Sequence, residues 1–263
     1  MNGCFSGFAR LLHLVRYHSS VFFRKIRPYP PLASWMLFLF MTYHQTPLNM
    51  VQNYSAQAMV MFYVMVWFGY VFLSDFDVVT EHLLILQINS RLLYAAGKLL
   101  FLLAVCALIG LAGSLYPVIV KLISYFAGTM WPVGIGMADF AGGFVLQFTS
   151  GCLGVAVAFL FHPNPDKRNS GPATVFVLIS FALMAVTKHQ VFGFDGPARH
   201  LLLVFTPLYE ILQLFFDKEA FLAISMLLVA AKGGIYFIAA AAVGYWLYNK
   251  RVYGPMIAGE HAL

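Results

Sequence analysis

Residues 73–100 read LSDFDVVTEHLLILQINSRLLYAAGKLL, with five charged side chains, Asp75, Asp77, Glu81, Arg91 and Lys98, set in an otherwise mostly apolar neighbourhood. On either side the charges stop: no Asp, Glu, Lys or Arg occurs from Pro28 to Ser74 or from Leu99 to Val120. An apolar run of about 20 residues is what a helix needs to cross about 30 Å of hydrocarbon, where backbone amides find no partners but one another. The stretch therefore joins two membrane-spanning segments, and the fold class expected is an all-α membrane protein. The 263-residue composition agrees, with 61% hydrophobic and 10% charged residues and a mean hydropathy of +0.80.

Working outward, the interval 28–74 is too long for one span and has a polar centre, HQTPLNMVQNYSAQ (44–57). It predicts a hairpin of two spans, Leu32–Tyr43 and Ala56–Ser74. Further spans are expected at Leu99–Val120, Ala138–Phe161, Pro172–Thr187 and Phe221–Tyr248, six transmembrane helices in a single domain. The apolar piece LLLVFTPLYEILQLFF (201–216) carries Pro207 and Glu210 at its middle. A central carboxylate costs about 2.5–3.5 kcal/mol on insertion scales, so residues 188–218 are expected to form a re-entrant extracellular hairpin before span six.

Basic residues orient the spans, because Lys and Arg are retained on the cytoplasmic side. With the N-terminus inside, the inner set is Arg10, Arg16, Arg24, Lys25, Arg27, Arg91, Lys98, Lys167, Arg168, Lys250 and Arg251; the outer set is Lys121, Lys188, Arg199 and Lys218. Both termini are thus expected in the cytoplasm. The net charge of +6 follows from this bias, and no nucleic-acid partner is implied. In residues 5–27, Arg10, His13, Tyr17, Ser20, Arg24 and Arg27 recur at steps of three or four, with Phe8, Leu11, Val15, Phe22 and Ile26 largely opposite. That pattern predicts an interfacial amphipathic helix whose bases meet anionic membrane lipid. No small-residue cleavage site follows it, so the segment is expected to remain in the mature protein.

No catalytic constellation is present: no His-Glu-x-x-His, no Gly-x-Ser-x-Gly, and no phosphate-cradling Gly-x-x-x-x-Gly-Lys-Ser/Thr, since Gly97-Lys98 is followed by Leu99. The chain is therefore not expected to be an enzyme or to bind a cofactor. Cys4, Cys106 and Cys152 are too scattered for a disulfide framework or a metal knuckle and read as small apolar fillers. No metal ligands are assigned, the eight histidines being dispersed. Lys232 lies well inside the last span beside Gly233 and Gly234; an intramembrane charge either snorkels or serves a translocation path, and Glu210 is the other path candidate. Asp139 reads as a helix-start acid. Ser150, Gly154 and Ala158, at four-residue spacing, form a stripe that lets another helix approach, within the chain or across a dimer.

Within the opening stretch, VVTEHLLILQI (78–88) is a short apolar helix ended at Asn89-Ser90, with Asp75 and Asp77 able to cap its start. On the expected topology it is cytoplasmic, where its apolar face must bury in headgroups or dock in a partner's groove.

At this point the chain resembles the permease subunits of ABC-2 type exporters. Their first cytoplasmic loop carries Gly-Thr-Leu-Glu-x-Leu-Leu, two residues, Pro, then Ser/Arg and a downstream Gly-Lys. Here Glu81, Leu83, Leu84, Ser90, Arg91, Gly97 and Lys98 stand in that order, with Gln87 at the Pro position. The likeness extends to the N-terminal elbow helix, the six spans and the broken hairpin before the last. It implies a coupling helix within 75–91, a second permease subunit, same or homologous, and separate ABC ATPase subunits that bind ATP and Mg. It also implies residence in the plasma membrane, as in a bacterial inner membrane, and passage of an amphipathic peptide, lipid or drug along the subunit interface. The resemblance assigns ATPase coupling to Glu81, His82, Leu83, Leu84, Leu86 and Arg91, with Glu81 pairing a base on the ATPase. Arg24, Lys25 and Lys98 would anchor the chain at the headgroups. The rival classes are an ATP-independent channel or secondary carrier, and an assembly subunit without transport of its own.

Overall fold

Long uninterrupted apolar sequence gives long helices, because in such a stretch nothing competes with the i to i−4 ladder for the backbone. The computed structural model describes residues 2–44, 50–76, 78–126, 136–161, 208–216 and 221–260, and all elements among them are helices. They are α1 (Asn2–Phe22), α2 (Tyr29–His44), α3 (Met50–Ser74), α4 (Val78–Ile88), α5 (Arg91–Phe126), α6 (Met137–Leu160), α7 (Leu208–Phe216) and α8 (Ala223–Glu260). Four of them, α3, α5, α6 and α8, are long and apolar enough to cross a membrane.

Several boundaries differ from those expected, each for a local reason. The second expected span begins at Met50 rather than Ala56, because the polar residues ahead of it are satisfied inside the bundle. Ser55 bonds back to the Val51 carbonyl at 2.8 Å, and the Tyr54 hydroxyl donates to the Ser114 carbonyl at 3.3 Å. The α5 helix begins at Arg91, eight residues before the expected Leu99, so Lys98 lies within the helix. Ser90 caps it, accepting from the Leu93 amide at 3.2 Å. The N-terminal helix stops at Phe22 rather than 27. The expected span 172–187 lies outside the described residues, as does most of the segment 188–218, of which α7 is described.

Close helix contacts fix the direction of each element. A Cβ on Gly143 would stand 2.5 Å from the Tyr54 ring, and one on Gly69 would stand 2.8 Å from Ala158. The register therefore rises together along α3 and α6, and these two run parallel. Between those points Gly154 presses against the Phe62 carbonyl, Met65 and Val66. The small-residue stripe of α6 is thus consumed within the chain, which decides its role in favour of internal packing. The α5 helix runs antiparallel to α6, with Cys106 donating to the Phe148 carbonyl at 3.5 Å and Gly113 against Gln147. Gly233 meets Thr149 and Gly244 meets Phe159, so α8 runs parallel to α6. Leu160 and Ala223 consequently lie at opposite ends of the bundle.

Asp139 starts α6 as expected, its carboxylate accepting from the Gly136 amide at 2.9 Å. The α7 helix buries Leu208, Ile211 and Phe215 against the first turns of α3 and against Phe221. At the other end of the bundle α1 packs on the foot of α5, with Leu14 against Gly97.

Candidate functional site

The foot of the bundle, where α1, α4, α5 and α8 meet, holds a buried ion pair. A helical step of four places Tyr94 and Lys98 on one face of α5, and α4 folds back over that face. The joint is two residues long: Asn89, in the left-handed region at φ 56°, ends α4, its amide reaching the Ile85 carbonyl at 2.9 Å. Ser90 then opens α5. Asn tolerates that conformation because its short polar side chain can bond locally.

This turn aims Glu81 inward. Its carboxylate is salt-bridged to the Lys98 ammonium, and the two residues are 4% and 2% exposed. The Tyr94 hydroxyl donates to the same carboxylate at 3.3 Å, and Tyr248, arriving from α8, donates at 3.0 Å. The ammonium also faces the rings of Tyr94, Phe76 and Tyr248, with centroids at 4.8, 5.2 and 5.8 Å. A buried pair survives desolvation only when its remaining hydrogen-bonding capacity is met, and here two hydroxyls and three aromatic faces meet it.

His18 of α1 closes the site. It is fully buried, neither ring nitrogen has a hydrogen-bond partner, and edge-on rings of Phe76, Phe72 and Tyr94 surround it at 5.1, 5.6 and 5.8 Å. Burial, and then the nearby Lys98 cation, push the imidazole down from 6.5 to about 3, against a smaller upward pull from Glu81. The ring is neutral at physiological pH. Sequence periodicity marked His13 and passed over His18, since nothing local distinguishes an inward histidine on a mixed helix face.

The sequence-assigned residues separate into two groups. Glu81 and Lys98 come together inside the protein, the Lys98 ammonium paired with a Glu81 carboxylate that is turned inward. Packing α4 onto α5 and α8 is what turns them in. On the other face of α4, Val79, Leu83 and Leu86 are 63%, 57% and 76% exposed. Leu84 packs partly against the small cluster of Leu14, Ile85 and Tyr94; His82 is half-buried, and Arg91 is exposed at the start of α5. Arg24 is exposed. Lys25 instead reaches Asp75 at 2.5 Å, with Arg27 on the other carboxylate oxygen at 3.1 Å. Asp75 therefore ties the α1–α2 connection to the end of α3 and does not cap α4; Asp77 lies outside the described residues. Lys232 is exposed on the outward side of α8 while its neighbour Gly233 faces α6. Glu210 falls on α7, with its side chain outside the described residues. Among the described residues no three side chains drawn from His, Cys, Asp and Glu converge as a metal centre.

Tyr94 and Tyr248 had no place in the sequence-derived site. The i, i+4 relation of Tyr94 to Lys98 was available as a signal, whereas Tyr248 stands 167 residues from Glu81 with no local mark. A scan against protein-family models gives no match, and neither do comparisons with curated proteins and with solved structures.

Proposed function

We propose that this chain is the permease subunit of an ATP-driven exporter of ABC-2 type, working with a second permease subunit and separate ATPase chains to move an amphipathic substrate. The observation that carries the reading is the two-faced character of α4. One face is bolted to α5 and α8 through Glu81; the other offers Val79, Leu83 and Leu86 to something outside the chain. An exposed apolar helix face of this kind suits a groove on a partner.

In this reading Glu81 is a positioning residue, and the docking contact falls to the leucines. A push on α4 would pass through the capped Asn89-Ser90 joint into the 36-residue α5 and through the Tyr248 hydroxyl into α8, turning a movement outside the membrane into one of the bundle. The six-span arrangement, with α2 and residues 172–187 joining the four long helices, is supported by the parallel course of α6 and α8, which requires the chain to return between them. The exposed bases Arg10, Arg16 and Arg24 would face anionic headgroups of the plasma membrane, with both termini in the cytoplasm.

The test is to purify the full chain from its own membrane in mild detergent and assay ATP hydrolysis in the eluate. A co-purifying ATPase that is lost in Leu83→Asp/Leu86→Asp, while the melting midpoint of the chain is kept, is the expected result. Absence of ATP hydrolysis with the native chain overturns the assignment, and undiminished hydrolysis with the double variant overturns the role of α4.

A further inference from the structure

Sulfur-bearing side chains from α3 and α5 meet at Gly151 of α6, beside Cys152, in the middle of the bundle. The Cys106 thiol of α5 lies against the position a Cβ of Gly151 would occupy, and the Met61 methyl and Met65 Cγ of α3 stand 3.1 and 3.3 Å from that same point. Cys152, the next residue on α6, belongs to the same buried cluster as Cys106, Met61 and Met65. All four are buried, and both thiols are free. Each methionine sulfur is one bond from the carbon that touches the site, and three rotatable bonds let the thioether turn toward it.

We propose that Cys106, Cys152, Met61 and Met65 form a binding site for a soft monovalent cation, Cu(I), within the membrane-spanning bundle. Thiolate and thioether donors select Cu(I) over hard cations, and the four side chains of this cluster offer only sulfur; the Phe148 carbonyl that accepts from Cys106 at 3.5 Å is a hard ligand poorly suited to a soft ion. Charge balance points the same way. Binding replaces the proton of one thiol, Cu⁺ + RSH giving RS–Cu and H⁺ released to water, so the loaded site is neutral. A neutral complex suits a low-dielectric interior, where an uncompensated charge is costly. The buried charge of α5, Lys98, is two turns away from Cys106, about 12 Å along the helix, and is already paired with Glu81. Zn²⁺ favours nitrogen, oxygen and thiolate ligands over thioethers, and would need both thiols ionised to reach neutrality. The inference is independent of the transport reading.

The experiment uses the full chain carrying Cys4→Ser, reduced, in detergent and without oxygen, titrated with Cu(I) against bicinchoninate as competitor. One equivalent is expected to bind, with an all-sulfur first shell in X-ray absorption and no displacement by Zn²⁺. Cys106→Ala should weaken binding by more than about 100-fold, beyond what loss of a merely supporting group produces. The volume-conserving Met61→Leu/Met65→Leu should weaken it while the melting midpoint of the metal-free protein holds. The proposal is overturned if the Cys4→Ser protein fails to hold Cu(I) against the competitor, if Cys106→Ala binds as well as its parent, or if nitrogen or oxygen occupies the first shell.

Discussion

The Tyr248 hydroxyl, on the last helix, donates a hydrogen bond to Glu81 on α4 at 3.0 Å across 167 residues of sequence. Through Glu81 and its partner Lys98, that one carboxylate joins α4, α5 and α8, and His18 of α1 is pressed against the same group of rings.

Removing one member of the pair should cost far more than removing both charges. Lys98→Met leaves a buried carboxylate without its cation, for which about 3–5 kcal/mol is the usual penalty. Glu81→Gln/Lys98→Met should recover most of that loss. Denaturation midpoints of the two single variants and the double in one detergent give the coupling; an additive result would mean that the pair is solvated.

His18 should make the protein acid-sensitive. Its folded value, about 3, lies below the ordinary 6.5, so the unfolded chain binds the proton more readily between those values. The stabilising contribution is fully present above pH 6.5 and is lost as pH falls toward 3, at up to about 1.4 kcal/mol per pH unit. Subtracting the stability profile of His18→Phe from that of the native chain between pH 7 and 4 isolates this slope from the carboxylates. A flat difference would show that His18 is solvated or already charged.

Two glycines should respond oppositely to a methyl group. A Cβ on Gly154 overlaps the Phe62 carbonyl, whereas one on Gly234 meets nothing within 4 Å. Gly154→Ala is expected to lower stability by about 1–3 kcal/mol through overpacking of α3 on α6. Gly234→Ala should be neutral or stabilising by up to about 1 kcal/mol, the helix-propensity difference. Thermal melts of the two variants side by side decide it.

Between α3 and α6 the Gln147 amide donates to Gln57 at 2.8 Å, and Gln57 in turn donates to Tyr43 at 2.5 Å. Gln147→Leu leaves a buried acceptor of Gln57 unmet and should cost about 1–3 kcal/mol. Gln57→Leu/Gln147→Leu should cost less per residue, since the apolar pair leaves neither amide behind unmet. Equal or greater loss in the double would show that the polar chain is needed as a unit.

Sequence alone determined the elements. Long apolar intervals located α3, α5, α6 and α8, Asn89-Ser90 marked the joint between α4 and α5, and Asp139 marked the start of α6. These signals are local: they depend on the length of an apolar run, on the residues that break it, and on which side chain can serve the free amides of a first turn. The faces that meet were decided only by the tertiary structure. In a span almost every face is apolar, so no hydropathic contrast says that Gly154 turns to Phe62, or that Cys106 and two methionines turn to Gly151. Glu81 and Lys98 each read as surface residues because charge ordinarily avoids the interior. They are inside because α4 folds back on α5 while α8 brings Tyr248 to the same carboxylate, a convergence of three helices that no one helix's periodicity records.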